Sequence, residues 1–235
     1  MNDLYLEWNN QANGYKGKAK APDGRKIKVS FLPDDLEDSP REWDNLGTMV
    51  CFHSRYILGD EQPGGRPDEW LRDLACSLDP TAEDRIWYWE DGPGYDRADS
   101  AGRVDAIIEK VLDREVPVIL PLYLYDHSGI TMSVAPFSCG WDSGQVGWIY
   151  VSRADLLKEY SAKRITKAIR ERAEKVLRQE VATYDDYLTG NVWGYDLKVG
   201  GEDRDGCWGY FGNPGDYLLS EVNSILKQYG VQAHL

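Results

Sequence analysis

Cys51, His53, His127 and Cys139 are the residues whose chemistry packing alone explains least. Two thiols and two imidazoles are the donor set of a tetrahedral Zn²⁺ site, and a thiol beside an imidazole is the pair from which a cysteine nucleophile with a histidine base is built. Spacing argues against the first idea. Cys51 and His53 are separated by a single residue, which fits neither half of a standard finger, and His127 precedes Cys139 by 12 positions. For the second, the sequence offers Cys139 as nucleophile and His127 as base, with Asp126 or Asp142 to orient the ring. The simpler alternative is buried thiols and hydrogen-bonded histidines, with no cofactor. Asp126-His127-Ser128 contains the residue types of a serine triad, but chain neighbours project in different directions and no G-x-S-x-G elbow occurs. No phosphate loop is present either, which disfavours the common routes of nucleotide hydrolysis.

The elements that would position these groups lie in Pro117 to Val151. Val116 to Tyr125 reads as a strand, and Pro117 and Pro121, which cannot donate to a ladder, point to an edge or a bulge. Asp126, His127, Ser128 and Gly129 form a polar turn, Cys139 to Gly144 a second tight loop, and Gln145 to Val151 another strand. Two neighbouring strands would therefore present two loops at one end of a sheet.

Elsewhere the pattern alternates strands and helices. Ala21-Pro22-Asp23-Gly24 is a turn between strands at Lys16 to Ala19 and Lys26 to Leu32. Gly47 to His53 reads as a buried strand, Pro67 to Asp79 and Ala101 to Arg114 as helices, and residues 81–100 as an acidic, aromatic loop. Ser152 opens a helix that breaks near Ser161 to Arg164, a longer amphipathic helix follows, and a hairpin and a last helix from Asp216 to Tyr229 close the chain. Without a repeated βαβ unit or a linker, this predicts a single α+β domain over residues 1–235, with a mainly antiparallel sheet and packed helices.

Composition narrows the partners. The 235 residues are 42% hydrophobic, enough for a substantial core. No apolar run approaches the ~18 residues of a membrane span, and the first residues lack a secretory pattern, so a cytoplasmic protein is expected. Forty acids against 27 bases leave a formal net charge of −13, which opposes direct nucleic-acid binding. Lys16, Lys18, Lys20, Arg25, Lys26 and Lys28 are a basic exception. Acids concentrate at Asp34, Asp35, Glu37, Asp38, Glu42 and Asp44 and again between Asp79 and Asp105, where eight acids face three bases. These are either solubilising surface or a docking face for a basic protein. Of nine tryptophans, Trp87, Trp89, Trp141 and Trp208 fall in acidic or glycine-rich segments, the composition of aromatic anchors within a charged rim. Asp34, Asp35, Glu37, Asp38, Trp87, Trp89, Glu90 and Asp91 are therefore the candidate partner-binding residues.

The blocks DSPREWDNLGTMVCFHSRYILGD, LPLYLYDHSGITMS, FSCGWDSGQVGWIYVS and TYDDYLTGNVWGYDL, which span residues 38–197, resemble a family of phage, plasmid and mobile-element proteins. That family is recognised by its sequence blocks rather than by an activity. The resemblance implies a setting in which small acidic proteins block host defences that target nucleic acid, of anti-CRISPR or anti-restriction type. The expectation is thus a non-enzymatic inhibitor that binds a basic surface of a host defence protein. A hydrolase-like enzyme or zinc protein using the His127 and Cys139 loops is the alternative, and a small-molecule-binding accessory protein the third reading.

Overall fold

The computed structural model describes residues 1–36 and 38–235. The chain opens with strands β1 (Asn2–Tyr5), β2 (Glu7–Asn9), β3 (Gly14–Lys20), β4 (Lys26–Pro33) and β5 (Thr48–Cys51). Helices α1 (Pro67–Leu78), α2 (Thr81–Glu90) and α3 (Ser100–Glu115) lead to strands β6 (Val118–Asp126), β7 (Ile130–Ser133) and β8 (Ser143–Val151). Then come α4 (Arg153–Glu159), α5 (Lys167–Thr189), β9 (Val192–Val199), β10 (Glu202–Phe211), α6 (Tyr217–Leu226) and β11 (Val231–His234). The fold is α+β, and among the described strands the ladders are antiparallel except that of β1 with β11.

By contacts the chain divides into two compact units, residues 1–40 with 183–235 and residues 41–182. The sequence reads as one domain because neither boundary carries a linker, and the second falls inside α5.

In the first unit a five-stranded sheet runs β10-β9-β4-β3-β2, beside the two-stranded pair β1-β11. Gly24, at φ 87°, closes the β3–β4 hairpin where Pro22-Asp23-Gly24 predicts a turn. Ile27, Val29 and Phe31 on β4 and Tyr195, Leu197 and Val199 on β9 alternate inward, forming one core with Leu218, Val222 and Leu226 from α6. β11, a strand not predicted from the sequence, adds Val231 and Ala233 to it.

In the second unit a four-stranded sheet runs β5-β8-β6-β7. Pro121 pairs with Trp148 on β8, whereas β7 reaches only Tyr123 to Asp126, so the proline occupies an edge stretch of an otherwise internal strand. The register slips between Leu122 and Tyr123, beside that transition. Gly147 is required on β8, because a Cβ there would meet the Val50 carbonyl oxygen at 1.9 Å. Trp70 of α1 stacks on Trp148 at 5.5 Å, and Ala75, Ala82 and Val111 join α1, α2 and α3 in a small core. Residues 81–90, expected as loop, are helix α2: Ala82 and Ile86 are buried one turn apart, and this packing outweighs the poor helix propensity of Trp87-Tyr88-Trp89.

Candidate functional site

The antiparallel pairing of β6 with β8 places Asp126, at the end of one strand, beside the start of the other, where Tyr125 faces Ser143. Both loops expected from the sequence therefore emerge at the same end of the sheet. The Asp126 amide donates to the Asp142 carbonyl at 2.8 Å and ties the loops together. Between β6 and β7 a three-residue turn forms, with Ser128 in the left-handed region at φ 59° and the His127 amide bonded to the Gly129 carbonyl.

Asp142 is the centre of this arrangement. One of its oxygens lies 3.2 Å from His127 Nδ1 and 3.9 Å from Cys139 Sγ. His127 is thus oriented through Nδ1, which leaves Nε2 as its outward nitrogen, and its ring stacks beside Tyr125 at 6.1 Å. The sulfur meets the carboxylate rather than the imidazole, so the order is Cys139, Asp142, His127. A nucleophile with its base would need the imidazole in the middle.

The other expected carboxylate, Asp126, is engaged elsewhere. Arg55 forms an ion pair with it, and the Tyr56 hydroxyl lies 3.4 Å from its second oxygen. Arg55 and Tyr56 carry no sequence signal for this site, since only the fold brings them, 71 and 70 positions away, onto Asp126. The loop carrying them starts at His53, whose Nδ1 accepts the amides of Arg55 at 3.3 Å and Tyr56 at 3.2 Å, while its ring stacks on Tyr56 at 5.0 Å. His53 is a turn-forming residue. Cys51, one strand position before the loop, is fully buried, and burial, reinforced by Asp60, pushes its thiol up to about 12. Such a thiol disfavours the thiolate that zinc needs. Among the described residues, no three of His, Cys, Asp and Glu are grouped to hold a metal ion.

Two large apolar side chains stand free on these loops. Trp141, next to Asp142, is 97% exposed, and Ile57, next to Tyr56, is 90% exposed. Trp141 carried a sequence signal, an aromatic between Gly140 and Gly144, but Ile57 carried none.

The acidic candidates separate. Asp34 lies in the first unit, where its carboxylate accepts the Gly209 amide at 2.8 Å, and Asp35 and Asp38 are exposed nearby in sequence. Glu37 lies outside the described residues. Trp87, Trp89, Glu90 and Asp91 are in the second unit, on α2 and its C-terminal end. Trp87 is exposed, whereas Arg103 covers the Trp89 ring at 4.3 Å and Arg72 pairs with Glu90 at 2.6 Å. No helix among the described residues is long and apolar enough to cross a membrane. Comparison with family models, curated proteins and solved structures yields no match.

Proposed function

We propose that the chain works by binding another protein, with the loop end of the second unit as its principal contact. The observation that carries this reading is Trp141, 97% exposed on a loop whose neighbouring residue is bonded to the adjacent strand end. A tryptophan held in water on a braced loop loses little conformational freedom when it docks, and burying it there can supply the energy of an interface anchor. Ile57 adds a second apolar contact, and Arg55, Asp126, His127 and Asp142 form the polar rim. With a formal charge of −13 and the mobile-element resemblance, the partner we propose is a basic surface of a host defence protein that acts on nucleic acid, and the effect is inhibition.

The test is capture from host lysate by the intact protein and by Trp141→Ala, followed by nuclease assay of what is captured. The reading expects a nucleic-acid-processing enzyme, inhibited by the intact protein and released by Trp141→Ala and by rising salt. Equal capture by the folded variant, or a captured enzyme whose activity is unaffected, overturns it.

The His127–Asp142 pair supports a second reading, an enzyme that uses His127 Nε2 as a general base. In that case His127→Ala, folded and at matched concentration, abolishes biological activity while partner capture persists.

A further inference from the structure

One face of the first unit's five-stranded sheet is built from lysine. Lys16, Lys18 and Lys20 on β3, Lys26 and Lys28 on β4 and Lys198 on β9 are all exposed, while the alternate residues Gly17, Ile27, Val29, Leu197 and Val199 are buried on the other face. The register sets Lys18 opposite Lys28, Lys20 opposite Lys26 and Lys28 opposite Lys198. Like charges directly opposite across a ladder are destabilising. Only Lys198 forms an ion pair among the described residues, with Asp203 at 2.7 Å. An open depression of about 470 Å³ lies at this hairpin, lined by Lys18, Lys20, Lys26 and Lys28 with Ala19 and Ile27. In a chain with 13 surplus negative charges, these facing lysine rows are a local concentration of positive charge.

The same face carries an aromatic platform. Gly194 shares the outward side of β9 with Asp196 and Lys198, and a Cβ on it would meet the Trp208 ring at 2.1 Å. The indole therefore lies directly on the glycine, and Trp208 is still 46% exposed. Gly206 pairs with Asp196 and Cys207 with Tyr195, so alternation carries Trp208 to the outward side over Gly194, and the register shift that follows, with Gly209 at φ 83°, returns Tyr210 to pair with Trp193. Gly194 and Lys198 are four residues apart on one strand, ~13 Å.

We propose that this face binds single-stranded nucleic acid, the lysine rows tracking successive phosphates and Trp208 stacking an unpaired base. Outward lysines two apart on a strand are ~6.8 Å apart, a spacing suited to the phosphates of an extended strand. A duplex offers no free base to Trp208. The outward positions directly beside the lysines are Glu7, Ser30 and Asp196, all polar, so that Trp208 and Leu32 alone would not give this face the continuous apolar surface of a membrane anchor. This site is separate in sequence and chemistry from the Trp141 loops and stands or falls independently of them.

The experiment titrates the full chain into a labelled single-stranded oligonucleotide, a duplex of equal length and anionic phospholipid vesicles, each over a range of salt. The single strand is expected to bind best, with log affinity falling linearly in log salt. Lys18→Gln with Lys28→Gln is expected to reduce the slope by about 1.4, at ~0.7 per phosphate contact, and because the pair is mutually repulsive this variant keeps its fold. Trp208→Ala is expected to weaken binding about 5- to 150-fold with the slope unchanged, and Trp208→Phe to restore most of it. Preference for duplex or vesicles overturns the proposal, as does an oligonucleotide affinity that neither the lysine pair nor Trp208→Ala alters.

Discussion

Arg41 is clamped by Asp60 through two parallel hydrogen bonds, Nε to Oδ1 at 2.9 Å and Nη2 to Oδ2 at 2.6 Å, where the arginine side chain is only 4% exposed. The same guanidinium reaches Glu180 at 3.1 Å and the Gly47 carbonyl at 2.6 Å. Asp60 also accepts the Met49 amide at 2.7 Å, and Glu180 the Leu46 amide at 2.7 Å. One arginine therefore pins β5, the loop that carries Arg55 to Ile57, and α5. Removing it would leave two partly buried carboxylates, Asp60 and Glu180, without their shared cation.

Arg41→Ala is accordingly expected to destabilise the protein by about 3 kcal/mol, because the carboxylates left unpaired cost more than the pair itself contributes. Arg41→Lys is expected to recover only part of this, since an ammonium cannot make the two-pronged contact. Urea unfolding at constant m-value checks both. A loss below about 1 kcal/mol for Arg41→Ala would show the network to be incidental.

The Cys51 thiol gives a pH dependence of definite sign. Its value rises from 9.0 to about 12 in the fold, with burial as the main cause. Between those values the unfolded chain has lost a proton that the folded one keeps, so stability is full below pH 9 and falls as pH rises toward 12. At neutral pH a thiol reagent is expected to label exposed Cys207 rapidly and Cys51 only on unfolding. Mass spectrometry of briefly alkylated native protein settles it, and early Cys51 labelling would contradict the burial.

These features differ in how far the sequence revealed them. The β3–β4 hairpin was legible because Pro22, Asp23 and Gly24 encode their turn locally, and Ser152 because its side chain accepts the Asp155 amide three residues on. The strand ends that bring His127 and Asp142 together were legible from alternation and turn residues. Helix α2 was not, because three consecutive aromatics before Gly92-Pro93-Gly94 look like a loop; Glu83 and Asp84 in its first turn were the available sign. β11 pairs with β1 from the opposite end of the chain, and Arg41 meets residues 19 and 139 positions away. Such contacts leave no local pattern. The lysines were visible as a basic segment, but only the register shows that they share one face with Trp208.

Asp79 yields the acid-side prediction. Its carboxylate accepts the Thr81 amide at 3.0 Å and hydroxyl at 2.7 Å, and pairs with Arg114 at 3.0 Å and Arg85 at 3.2 Å, so one side chain joins the end of α1, the start of α2 and the end of α3. The Thr81 hydroxyl, followed by Arg114, holds it below its ordinary value of 3.8. As pH falls through 3.8 toward the lowered value, the unfolded chain takes up a proton before the folded one, so the contribution of Asp79 is full above that range and is lost within it. Asp79→Asn keeps an acceptor for Thr81 but removes the charge facing both arginines. It is expected to melt below the wild type at neutral pH and to converge with it in acid, as followed by circular dichroism across the titration. A gap in melting temperature that stays constant from neutral to acid pH would mean that Asp79 acts through its shape and hydrogen bonds alone, not through its charge.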